Sequence, residues 1–175
     1  MLASPGEVVA YSRLLRSEGP SFLAVRTAAL VVTAGSFICA IPVEHVVEAM
    51  RPLPTELLAG SPRFIRGVSV IRGVPVPVVD LSVLLTNADA GDACERLVLL
   101  RVGDRFVALA VGRVVGLRHL DHSQQRELPP LLTAVGADIV ESIGASDAQL
   151  LLVLRMARIL PAVLPTTLAL GKLEA

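Results

Sequence analysis

The chain has 175 residues, 53 % of them hydrophobic and 3 % aromatic, with no Trp. That length suits one domain or two small, closely packed ones, and the apolar fraction supports a large core. The 16 basic residues balance 16 acidic ones, so the positive footprint of a nucleic-acid binder is missing, and so few aromatics leave no base-stacking platform. In residues 1–20, V-V-A-Y-S-R-L-L-R has helical spacing and predicts a short helix ended by Gly19-Pro20. No charged n-region precedes an apolar run, so no signal peptide is expected. Residues 21–26 read as a first strand. The uncharged run 27–43 nears the lower limit for a spanning helix, but Thr33, Gly35, Ser36 and Pro42 break it into two strands and a turn. Direct membrane insertion is therefore not expected. Residues 42–50 suit a helical turn or a twisted strand, and Pro52, Pro54, Gly60 and Pro62 mark a loop.

The most informative stretch is 64–85, F-I-R-G-V-S-V-I-R-G-V-P-V-P-V-V-D-L-S-V-L-L. Two β-branched runs, 68–71 and 74–79, are separated only by Arg72-Gly73, which predicts a tight hairpin. Val74, Val76 and Val78 fall on one face of the second run. Pro75 and Pro77 remove two N–H groups from one side of it, which predicts a sheet edge or barrel seam. Asp80 follows the strand and precedes an apolar helix, a good N-cap position.

Beyond a small, polar linker at 86–95, strands are predicted at 97–102 and 106–111 about a Gly103-Asp104 turn, and at 114–117. Residues 119–130 read as a polar loop. Strands at 139–143 and 150–154 flank a Gly144–Asp147 turn, and 156–160 suits a short helix. The halves repeat: 30–41 parallels 99–110, and 77–85 parallels 152–160, so Asp80 corresponds to Arg155. Many short strands with glycine turns indicate barrels or a sandwich, and their duplication indicates two such units.

Gly67 to Gly73, followed by Pro77-Val78-Val79-Asp80-Leu81, resemble the "G-x-x-N-L-R-G … P-V-x-D-L" core of the CheW-like chemotaxis adaptors. Val70 and Ile71 replace the family's usual Asn and Leu, and Pro75 is an additional proline. The resemblance implies an all-β protein with short helices, two intertwined five-stranded β-barrels around a shared apolar core. It covers 22–164, leaving 1–21 as an N-terminal extension, helical or disordered, and 165–175 as a C-terminal tail. It also implies a non-enzymatic adaptor in the cytoplasm, at receptor arrays beneath the inner membrane. The implied partners are the cytoplasmic tip of a chemoreceptor and the regulatory domain of a CheA-type histidine kinase. Carried over residue by residue, the receptor-contact positions are Val46, Glu48, Gly67 and Arg72, with Gly73, Pro77 and Asp80 as structural members of the motif. Two family landmarks are altered: Gly112-Arg113 stands where an acidic residue is usual, and Arg155 where Asp or Asn is usual. An Arg cannot accept helix N-terminal N–H groups, so the last helix should be the weaker one.

The residues point away from catalysis. No G-x-S-x-G, phosphate-binding or dinucleotide motif occurs, and no cofactor is implied. His119-Leu120-Asp121-His122 has too few ligands for zinc and reads as a solvated loop. Cys39 and Cys94 lack metal-ligand spacing and read as reduced thiols, with Cys39 buried in a strand where a thiolate is disfavoured. Arg51, Arg63, Arg66 and Arg72 cluster in sequence around Glu44, Glu48, Glu56 and Asp80. Such pairs are usually surface ion pairs worth little, although Arg72 with Glu48 would edge an apolar groove suited to a helix. Two alternatives stay open: a small-ligand-binding β-barrel, and an adaptor of a pilus or developmental pathway.

Overall fold

The computed structural model describes residues 26–87, 94–121, 125–126, 137–146 and 149–159. The expected N-terminal helix, all but the last residue of the strand expected at 21–26, most of the 86–95 linker and the C-terminal tail lie outside them. Among the described residues, ten strands form two five-stranded sheets. One has the order β8–β1–β2–β10–β9, built from β1 (Arg26–Ala34), β2 (Phe37–Pro42), β8 (Val114–Asp121), β9 (Val140–Ser146) and β10 (Gln149–Leu154). The other has the order β3–β6–β7–β5–β4, built from β3 (Val46–Met50), β4 (Ile65–Ile71), β5 (Val74–Asp80), β6 (Arg96–Val102) and β7 (Arg105–Val111). The helix α1 (Leu81–Thr86) follows β5, and a helical turn at 156–159 follows β10.

The sheets are interwoven repeats. Replacing each of β1–β5 by the strand five later converts the pairing order of one sheet into that of the other. Ladder irregularities follow the same rule. Val47 on β3 and Val115 on β8 are extra residues at matching bulges, as are Arg66 on β4 and Glu141 on β9. Turns place Gly35-Ser36 opposite Gly103-Asp104. The repeat read from sequence is thus one residue out in its first part, where it matches Gly35 with Asp104, and in step in its second.

Strand periodicity explains three cores. Leu30 and Val32 of β1 and Val98 and Leu100 of β6 enter a central cluster shared by both sheets and both helical segments. Their alternate neighbours turn the other way: Ala29 and Val31 into a cluster of the first sheet, Leu97 and Leu99 into one of the second. These strands are buried on both faces, which is why they read as unbroken apolar runs. Each sheet curls around its own cluster. Met50 on β3 and Ile71 on β4, at opposite ends of the strand order, pack into the same one.

β5 differs from expectation. It is an interior strand, antiparallel to β4 and parallel to β7. The prolines remain compatible because the β7 ladder starts only at Val78, beyond Pro77. Residues 119–121 belong to β8 rather than a loop, and Gly144 to Ser146 belong to β9 rather than a turn. The 42–50 stretch is both things foreseen: a 3-10 turn (Val43–His45), then β3.

Edges are covered alike in both sheets. Backbone hydrogen bonds in both directions join Glu56 to Val68 on β4 and Arg126 to Ile143 on β9, at 2.8 to 2.9 Å. These loop residues occupy the outer edges of β4 and β9 and block further strand pairing there.

Candidate functional site on the second sheet

The β4–β5 turn is Arg72-Gly73, with φ of 52° and 81°. Two successive positive φ values are what a type I′ hairpin requires. Glycine meets this freely, whereas Arg72 adopts it at a cost of about 1–2 kcal/mol. The turn projects the Arg72 side chain, 74 % exposed, towards β3, where Nη2 donates to Glu48 Oε2 at 2.8 Å. The pair joins the edge strand β3 to the hairpin of the opposite edge, across a gap that no backbone ladder closes among the described residues. Glu48 Oε1 is buried and accepts no hydrogen bond among the described residues.

The other carried-over positions divide by environment. Val46 is half-buried against the shared core. Gly67 is buried, at φ 140°, directly beneath the Glu56 carbonyl, and a Cβ there would overlap that oxygen. Gly67 therefore lets the 51–62 loop lie against β4, and only its neighbours reach solvent. Sequence gives the glycine but not its reason, since Glu56 is distant along the chain. The exposed surface around the pair in sequence is apolar: Val47 precedes Glu48, and Val70 and Val74 flank the turn.

Asp80 is held deep in the fold. It is 3 % exposed, Oδ1 accepts the Val83 N–H at 3.1 Å, and Oδ2 accepts from Arg66 Nε at 2.8 Å, with Arg66 Nη2 at 2.6 Å. It is the N-cap of α1 and carries one half of a mostly buried ion pair. Arg66 reaches it because the β4 bulge turns that side chain towards α1, and a bulge leaves no sequence signal. Pro77 pairs with Val68 in the hairpin. In the other half Arg155 and Glu141 occupy the positions of Asp80 and Arg66, with the charges exchanged. Of the sequence-level arginine cluster, the pairs Arg72–Glu48 and Arg66–Asp80 form, while Glu44 approaches His45 Nε2 at 3.6 Å.

Both thiols are free. Burial pushes the Cys39 thiol up to about 12 and raises that of Cys94, where Arg66 partly opposes it. Among the described residues no group of three or more His, Cys, Asp or Glu side chains is placed to hold a metal ion. No helix among them is long and apolar enough to cross a membrane.

The fold is a duplicated β scaffold whose second sheet carries an exposed ion pair at its hairpin turn. The sequence matches the CheW-like domain over residues 28–163, and the chain belongs to that family. It is 26 % identical over 132 residues to a chemotaxis protein CheW of Klebsiella aerogenes, covering 75 % of this chain and 80 % of that one. Its fold is similar to the scaffolding protein TtCheW of Thermoanaerobacter tengcongensis, with a TM-score of 0.68 at 18 % identity, over 79 % of this chain and 90 % of that one.

Proposed function

We propose that this chain is a non-catalytic adaptor that couples a chemoreceptor to a CheA-type histidine kinase. Membership of the CheW-like family across residues 28–163 carries this reading. The receptor's helical tip docks on the second sheet at Val46, Glu48 and Arg72, where the ion pair joins β3 to the exposed hairpin turn. Gly67 contributes by seating the 51–62 loop rather than by touching the partner. The kinase regulatory domain, which in this family has the same double-barrel fold, docks on a barrel end elsewhere. The chain works in the cytoplasm, at receptor arrays beneath the inner membrane. It performs no bond-making step. It links two equilibria, because a receptor conformation that binds the adaptor–kinase unit more tightly shifts the kinase towards the matching state.

Reconstitution tests the reading. Receptor-tip fragment and kinase should form a joint complex with receptor-dependent phosphorylation only when this chain is added. A chain that binds neither component would refute it.

A further inference from the structure

We propose that residues 8–16 of this chain fold back as an amphipathic helix onto strand β8 and cover Leu117 and Val115. Leu117 stands opposite Leu30 in the β1–β8 ladder, on the face turned to the shared core. Leu30 is 8 % exposed, yet Leu117 is 68 % exposed, and Val115 at the bulge is 47 % exposed. The matched residues of the other half are Ala49 and Val47, so a leucine stands in the open where its counterpart is an alanine. β8 is also an edge strand. Loop residues Glu56 and Arg126 cover the outer edges of β4 and β9. An apolar edge strand left bare invites pairing with other chains, and folds commonly cover such a strand with a helix or loop.

The chain supplies a cover of the right pattern, length and point of attachment. At helical spacing Val8, Tyr11, Leu14 and Leu15 fall on one side of 8–16, and Ser12, Arg13 and Arg16 on the other. The apolar side meets β8 and the arginines stay in solvent. Nine helical residues are about 13 Å long, which matches the run from Val115 to His119 at about 3.3 Å per strand residue. The described fold begins at Arg26, whose ladder partner is Asp121 at the end of β8. The chain therefore enters β1 beside the strand that needs covering, four residues from Leu117. Residues 17–25 reach at most about 30 Å when extended, more than this return requires. Gly19-Pro20 within them is a turn signal, and it provides the reversal that lays the preceding segment alongside β8.

Amide hydrogen exchange of the full-length chain, read peptide by peptide, tests this with wild type, Leu117→Asp and Leu14→Asp. In wild type the amides of 8–16 should exchange about tenfold slower than an unstructured peptide of the same sequence, independently of protein concentration. Leu117→Asp should abolish that protection. Leu14→Asp should abolish it too and speed exchange across 114–119. If Leu117→Asp disturbs β8 itself, Leu14→Asp carries the comparison, because it alters no residue of the described fold. Unprotected amides at 8–16 in wild type overturn the proposal, as does protection that neither substitution removes. Protection that appears only as concentration rises would make a second copy of the chain the occupant of β8. Protection lost from 160–175 instead, in Leu117→Asp, would assign the stripe to the C-terminal tail. Either result refutes the assignment to residues 8–16.

Discussion

Asp80 and Arg155 occupy the same place in the two halves of this chain. The backbone N–H of Asp80 donates to the Phe64 carbonyl at 2.7 Å, and that of Arg155 to the Ile139 carbonyl at 2.6 Å. Asp80 is the last residue of β5 and Arg155 the first after β10, and each immediately precedes a helical segment over the shared core. The side chains at this matched site have opposite charge, as do the bulge residues Arg66 and Glu141 of the neighbouring strands.

Asp80→Ala removes a helix cap and the mostly buried ion pair with Arg66, so it should lower stability by about 2 kcal/mol. Arg155→Asp alone adds a cap acceptor near Glu141 and should change little. Combining it with Glu141→Arg recreates the Arg66–Asp80 arrangement and should raise stability by about 1 kcal/mol. Urea midpoints measure all three. A double variant no more stable than Arg155→Asp alone would show that the halves are not equivalent at this site.

Gly67→Ala forces a methyl group into the Glu56 carbonyl at a φ that non-glycine residues rarely adopt. Loss of about 2–3 kcal/mol is expected, together with faster amide exchange at Glu56 and Val68, whose mutual hydrogen bonds would break. Wild-type exchange and stability, combined with lost receptor binding, would instead make Gly67 a direct contact.

Cys39 gives a pH dependence whose sign is fixed. Burial pushes its thiol up to about 12, above the unfolded value of about 8.5. The neutral thiol therefore favours the folded state fully below about pH 8.5, and that contribution is lost as pH rises towards 12. Val107 stands at the matching position of the other half, so Cys39→Val should keep the fold and flatten the alkaline loss of stability. Denaturant melts from pH 8 to 11 decide this. Equal slopes for the two proteins would mean that the thiol is not buried as described.

Local chemistry made part of this legible from the residues. The Arg72-Gly73 turn, the inward face of Val76 and Val78, and the Asp80 cap each depend on neighbours a few residues apart. The register of the repeat did not, for a physical reason. Strands such as β1 and β6 are buried on both faces, so their apolar runs lack the alternation that would fix the phase. The interior place of β5 was hidden because its prolines remove N–H groups only before the β7 ladder begins. Bulges at Val47 and Arg66 decide which side chains face the site, and they depend on long-range pairing. The ion pairs were visible as a cluster of charges, with Glu48 already set beside Arg72, but the Arg66–Asp80 pair was not.

Arg72→Gly offers the most direct test of the docking surface, because glycine adopts the turn's positive φ without strain and the fold should hold or gain slightly. Calorimetric titration of wild type and variant, first with a receptor-tip hairpin and then with a kinase regulatory domain, reads both contacts. Receptor affinity should fall by about 2 kcal/mol, roughly thirtyfold, while kinase affinity stays at the wild-type value. Unchanged receptor affinity, or equal loss of both, would contradict a receptor site centred on Arg72 and Glu48.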